Sequence, residues 1–423
     1  MKRPSAEYPA GEVCLAGLVL LVLLVKAPGF SLFPASAFAA LVLLPIIAKS
    51  FRATPLLSAL TVWAGIALAV GLILSLTIAR ELGAAGGMGV AAPVIGWMIS
   101  VPLIVALGVW AFERVGISRG IILLFAGALS SSIINAGGIG WKGSIGFYTT
   151  LFALAVFAKA PLFFARLILV GAVALATIFD ARSMTIVAAL TLAATFVNKR
   201  TLDWGTRQPF RALVLIASSG AAAAFLAIQA MQSGLFGAAV QQRTLEQMRF
   251  GSLITGARAE WAATLELFGS QPLGFGTGVA VHPGLQSEAV SAVRAVGGDA
   301  DAGYFRVLVF GDRTDLHSQL ADLWFHFGIP GIVVAVLMLL ILTSSTPHLI
   351  GQIRVYGAAP IMAALVALWD IPFSPMADID RTTAGLVLAI AVTLASRRNV
   401  IAHAKSGLSS PNVLSAAPPR NLT

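Results

Sequence analysis

The sequence predicts an all-α polytopic membrane protein, with about twelve transmembrane helices and one large periplasmic loop containing short helices. Three observations lead there. Of 423 residues, 58% are hydrophobic and only 11% charged, where a soluble domain carries about 25% charged residues. Roughly a dozen apolar runs have the length of a bilayer crossing. Lys and Arg gather on alternate sides of those runs, which orients the chain. Every span is read as a helix, because an open strand leaves backbone groups unsatisfied in lipid.

The first span, near 13–27, follows Lys2 and Arg3 and precedes an A-x-A sequence, an order that imitates a signal peptide. So many spans follow that an uncleaved first helix is expected instead. Further spans fall near 31–48, 56–79, 88–112, 117–135, 145–158, 161–179, 182–198 and 211–232, so residues 1–232 form an N-terminal bundle of about nine. Spans near 319–343, 356–372 and 382–396 form a C-terminal group within 319–405. Between the groups, residues 233–318 are too long for a structureless loop, so amphipathic helices packed on the bundle are expected there. The tail, 406–423, reads as a disordered cytoplasmic end.

With a cytoplasmic N-terminus, the inner segments hold sixteen Lys and Arg and the short outer segments five. That bias places both termini in the cytoplasm and the large loop on the outer side of the membrane. The formal charge of +10 is therefore topogenic, and it does not point to nucleic acid. The large loop itself is net acidic, with eight Asp and Glu against six Arg. Cys14 is the one cysteine, so no intrachain disulfide can form.

Three features on the predicted outer side could carry chemistry. In "FDARSMTIVAAL", Arg182 opens a span just after Asp180, against the positive-inside bias; it is either an anchor paired with Asp180 or a functional cation. In "GARAEWAATLELFGSQPLGFGTG", Ala257, Trp261, Leu265 and Phe268 share one helical face flanked by Arg258. Pro272 ends that helix, and Gly274, Gly276 and Gly278 follow; as a phosphate fingerprint they are weak, lacking a preceding strand and a following lysine. In "TDLHSQLADLWFHFGIPG", capping by Asp315 or Thr314 would put His317 in a first helical turn, where the macrodipole disfavours imidazolium. A neutral imidazole there suits a general base. Trp324 and Gly328 follow on roughly the same face, and Gly328 with Gly331 permits close helix packing. His326 reads as structural.

Arginine forks suit a pyrophosphate, and histidine can take a proton from a hydroxyl. The combination suggests group transfer from a lipid-linked pyrophosphate to a hydroxyl acceptor. The spacing His317, Ser318, nine residues, Gly328, two residues, Gly331 resembles the histidine signature of the O-antigen ligase and O-antigen polymerase superfamily. The Arg258-to-Trp261 helix with its Pro-Leu-Gly-x-Gly turn, and the helix start at Arg182, are similar to two other segments of that family. The likeness covers mainly 175–345, and Asp180 stands where the family has a hydroxyl residue.

The resemblance implies a metal-independent, inverting membrane glycosyltransferase without cofactor. Its donor would be an undecaprenyl-pyrophosphate-linked glycan, and its acceptor a glycan, lipid A core or another hydroxyl. His317, Arg258 and Arg182 would be catalytic, with Trp261, Ser318 and Gln319 also touching substrate. The alternative is a transporter or flippase for lipid-linked glycans, which predicts broken helices or paired charges at mid-bilayer depth. A scaffold protein would leave these residues replaceable. The loop acids Asp299, Asp301, Asp312, Asp315, Asp378 and Asp380 have no spacing that makes a metal cage.

Overall fold

The structure, a computed structural model, describes residues 8–27, 30–34, 40–45, 48, 51, 54–82, 88–135, 141, 144–179, 181–197, 218, 225, 229–235, 237–238, 241–242, 244–245, 259–298, 305, 309–311, 314–376 and 379–408. Helix α1 (Ala10–Val22) is followed by a short antiparallel pair, β1 (Lys26–Ala27) and β2 (Phe30–Pro34). Next come α2 (Pro55–Leu82), α3 (Met88–Val115), α4 (Ile117–Ile134), α5 (Ser144–Val156), α6 (Leu162–Ile178) and α7 (Arg182–Ala194). Two helices, α8 (Glu260–Ser270) and α9 (Pro283–Ala295), lie in the predicted loop. The chain then forms α10 (Gln319–Gly351), the short α11 (Ile353–Tyr356), α12 (Ala359–Phe373) and α13 (Ile379–Leu408).

Four helices contain stretches long and apolar enough to cross a membrane: Pro55–Ile78, Ala91–Val115, Ile117–Ile134 and Gln319–Gly351. Five shorter helices are apolar as well, and the chain is a helical membrane protein. Most helix limits fall within a few residues of the sequence reading, because apolar run length is a strong local signal. Residues 31–48 depart from it, since Phe30–Pro34 are extended and pair with Lys26–Ala27. Pro28-Gly29 and Pro34 are the sequence reason: both favour a turn and an edge strand over a helix interior. The span predicted at 211–232 lies largely outside the described residues.

Helix α3 is the central rod, 89% of its apolar window being buried, against 28% for α2. It packs on α1, α2, α4 and α13, while α10 packs on α2, α12 and α13. Helices α2 and α6 turn Val62, Leu76, Phe163 and Leu167 outward, each at least 58% exposed, as lipid-facing surfaces do. Gly116, with φ 85°, lets α4 start one residue after α3 ends.

A second, smaller core sits at the start of α10. It joins Ala263 and Leu267 of α8, Ala289 and Val293 of α9, Phe275 and Val279 of the intervening loop, Ile78 of α2, and Trp324 and Phe325 of α10. The seam between loop and helix exists because α10 is broken there. Gly328 has φ 64° and ψ −150°, and Pro330 has no N–H for the His326 carbonyl. The Phe325 carbonyl accepts instead from the loop, from Phe275 N–H at 2.8 Å and Gly276 N–H at 3.0 Å. Phe275 stacks on Phe325 with centroids 4.6 Å apart, and Trp324 donates its indole N–H to the Pro272 carbonyl at 3.0 Å. Across the loop, Thr277 N–H reaches the Gly71 carbonyl of α2 at 3.2 Å, and Ser75 Oγ lies 3.0 Å from Thr277 Oγ1. Gly276 runs so close to the backbone of Ser75 that no side chain fits between them.

Candidate functional site

The site is built around the turn that feeds α10. Ser318 is the cap of that helix, its Oγ accepting from Ala321 N–H at 3.3 Å. The cap expected at Asp315 or Thr314 is therefore corrected to Ser318. Thr314 is engaged in a bridge with Phe310, and Asp315 Oδ1 accepts the His317 N–H at 3.0 Å. His317 stands one residue before the cap rather than in the first turn. It does so with φ 54°, among the described residues the one non-glycine with positive φ. A left-handed backbone costs an ordinary residue about 1–2 kcal/mol, so the turn holds His317 against its own preference.

The His317 side chain is 22% exposed, with Nδ1 3.5 Å from Asp315 Oδ1 and 3.4 Å from the Asp315 carbonyl. Both neighbours of Nδ1 are acceptors. They favour the tautomer protonated at Nδ1, which leaves the lone pair on Nε2.

Below the turn lies a polar network that joins distant segments. Asp322, buried in the first turn of α10, accepts from Leu316 N–H at 2.7 Å through Oδ1. Its Oδ2 accepts from Met376 N–H at 3.3 Å, in the connection between α12 and α13. A carboxylate at a helix start also gains from the macrodipole. Gln319 is fully buried, its amide donating to Thr382 Oγ1 at 2.9 Å. Ser318 and Gln319 thus face inward and bond within the protein, so their side chains position the turn rather than line a cleft.

Alongside, Arg381 Nη2 lies 3.0 Å from Oδ1 of the fully buried Asp370, which also accepts from Ser374 Oγ at 2.8 Å. The guanidinium sits over the Phe147 ring at 5.1 Å. The sequence reading missed Asp322, Asp370 and Arg381 as site members. Arg381 carried a usable signal: a basic residue on the outer side, following an acid placed inside an apolar span.

Arg182 is the first residue of α7 and is half-buried. A cation at a helix start opposes the macrodipole. Its place in the bundle follows from connectivity. Gly357 abuts Ala158, so the α11–α12 corner and the α5–α6 turn share one end of the bundle. From that end α6 rises to the α7 start and α12 rises to Asp370 and Phe373, with α7 packed on α12. Met376 beyond α12 bonds Asp322, so Arg182, Arg381 and His317 belong to the same end.

Arg258 lies outside the described residues, as does Asp180. Trp261 is half-buried on α8. The predicted apolar face of α8 is corrected: Ala263, Thr264 and Leu267 are buried, while Leu265 is 64% exposed. Apolar residues on both sides blur the periodicity, and packing against α9 selects the Ala263 side. Phe268 meets Trp324 at 5.2 Å. His326 is buried between Phe325 and Phe327, with Nδ1 3.5 Å from the Gly276 carbonyl. His282 caps α9, its Nδ1 accepting from Gly284 N–H at 3.2 Å. Among the described residues, no three His, Cys, Asp or Glu side chains gather as a cation cage.

No family model matches the chain, and no curated protein matches it. What the arrangement offers is a partly exposed imidazole with an acceptor-flanked Nδ1, arginines at the same end of a membrane bundle, and a buried polar footing beneath the turn that carries the imidazole.

Proposed function

We propose that the protein is a membrane glycosyltransferase of the O-antigen ligase or polymerase type. It moves a glycan from an undecaprenyl-pyrophosphate donor to a hydroxyl acceptor on the periplasmic side of a bacterial inner membrane, with about twelve spans and both termini cytoplasmic. The observation that carries this reading is the Asp315–His317 turn: a strained, solvent-reaching imidazole whose Nδ1 faces acceptors.

In the reaction, His317 Nε2 takes the proton of the acceptor hydroxyl as its oxygen bonds to the anomeric carbon. The bond from that carbon to the pyrophosphate oxygen breaks, and its electron pair leaves with undecaprenyl pyrophosphate. Attack opposite the leaving group inverts the anomeric centre. Arg182 and Arg258 bind the pyrophosphate and neutralise the charge that grows on it. Trp261, on the same helix stretch as Arg258, flanks the glycan.

One observation favours the transporter alternative: α10 is broken at Gly328, and discontinuous helices are common at transport sites. The break is filled, however, by loop backbone and by the Phe275 ring. The glycosyltransferase reading is therefore preferred.

The test is transfer in vesicles holding the purified protein, an undecaprenyl-pyrophosphate-linked glycan and a hydroxyl acceptor. His317→Ala is expected to lower the rate by about 10²–10⁴-fold, the range of general-base contributions. Wild-type rates in that variant would remove the base assignment. A wild-type rate undiminished by a chelator is expected too, and its loss would bring the loop acids back as metal ligands.

A further inference from the structure

The end of the bundle remote from His317 carries a cavity of about 470 Å³. It opens where α3 passes into α4, between the α5–α6 turn, α11 and α13. Helix α10, 33 residues long, separates it from the candidate active site by about 50 Å of helix axis. Its walls differ in chemistry. Val115, Ile117 and Leu394, half-buried against the bundle interior, make an apolar side. Ser118, Arg119, Lys159 and Tyr356 make a polar rim, with Glu113 its one acid.

Arg119 and Lys159 are exposed, and among the described residues neither has an ion-pair or hydrogen-bond partner. Two other cations of this end, Arg114 and Arg166, are engaged within the protein. Arg114 bonds Glu12 at 2.9 Å and stacks on Trp110, and Arg166 bonds the Thr195 carbonyl at 3.0 Å and covers Phe196. Tyr356 adds a phenol to the lining. Helix α4 starts here without a side-chain cap, so the amides of lining residues Ile117, Ser118 and Arg119 have no acceptor within the helix.

We propose that this cavity binds the phosphate of an anionic membrane lipid, with Arg119 and Lys159 gripping the headgroup and an acyl chain lying along Val115, Ile117 and Leu394. Two cations against one carboxylate give the rim a net positive charge. The apolar wall is what separates a lipid from free phosphate, which has nothing to place there. Basic pockets between membrane helices hold such headgroups on the same chemical ground. The site is independent of the transfer reaction proposed above.

The test uses the full chain in phosphatidylcholine nanodiscs containing a minority of phosphatidylglycerol, with native mass spectrometry reading the lipid that stays bound. Wild type is expected to retain phosphatidylglycerol over phosphatidylcholine. The double variant Arg119→Gln/Lys159→Gln is expected to lose it by about tenfold or more, given the usual worth of each basic residue at an anionic headgroup. Lys159→Arg should retain it, and so should Arg354→Gln, which removes a cation two residues from Tyr356 but outside the lining. Undiminished retention in a monodisperse double variant would overturn the site, and equal loss in Arg354→Gln would reduce it to general surface attraction. Inorganic phosphate that displaces the lipid and binds alone in detergent would overturn the lipid as occupant in favour of a free phosphate compound.

Discussion

A non-glycine residue held at φ 54° spends stability that a glycine would keep, and His317 does so at the mouth of α10, the longest helix among the described residues. Exchanging it for glycine should therefore separate stability from activity. His317→Gly is expected to hold or raise the melting temperature, by about 0.5–1 kcal/mol of relieved strain, while transfer falls as it does in His317→Ala. A lower melting temperature would show that ring contacts outweigh the backbone strain. Asp322 is the opposite case, because its value is structural. Asp322→Ala leaves the N–H groups of Leu316 and Met376 without their acceptor. At about 1–3 kcal/mol for each of the two buried unsatisfied groups, a loss of about 2–6 kcal/mol is expected in thermal or denaturant unfolding. The difference between these two residues also says what sequence could reveal. His317 announces itself through its neighbours within fifteen positions. Asp322 bonds a residue 54 positions away, Gln319 one 63 positions away, and Arg381 one on another helix. No local pattern encodes those pairings.

At the scale of elements, the positions of the helices were legible and their faces were less so. Apolar length marks a span whatever it packs against, which is why 88–112 and α3, or 161–179 and α6, nearly coincide. A face depends on the partner, and α8 turned a different side inward from the one its periodicity suggested. The glycine series showed the same limit. Gly274, Gly276 and Gly278 looked like a weak ligand loop, yet all have positive φ and sit against α2, α3 or α10. Gly276→Ala is expected to lower stability by at least about 2 kcal/mol, combining a left-handed penalty with a backbone clash. Gly171→Ala, in α6 with nothing near an added Cβ, should be neutral or stabilising by up to about 1 kcal/mol. Parallel melts of the two variants in one detergent would check this; equal losses would mean that the loop yields more easily than its contacts indicate.

For the whole molecule, the structure gives two ends, and the Lys and Arg asymmetry is the ground for the proposed orientation. In a Cys14→Ser background, a cysteine replacing exposed Ser291 of α9 is expected to react with an impermeant thiol reagent on intact cells. One replacing Arg354 of α11 should react only after permeabilisation. The reverse pattern would put His317 in the cytosol and end the proposed reaction. Charge counts supply the proposed orientation, but they carry no signal for the distribution of burial. Composition gives no hint that α3 is sheathed by protein while α2 lies largely bare, since both are equally apolar.

Two of the bonds joining loop 271–278 to α10 run from main chain to main chain, from the Phe275 and Gly276 N–H groups to the Phe325 carbonyl. Such a clasp does not depend on which side chains its residues carry. Divergent sequences could exchange the aromatic rings along it and still keep the extramembrane layer fastened, provided the glycines and Pro330 stayed. A distant cousin of this chain would be recognised at this clasp by what its residues lack rather than by what they bear.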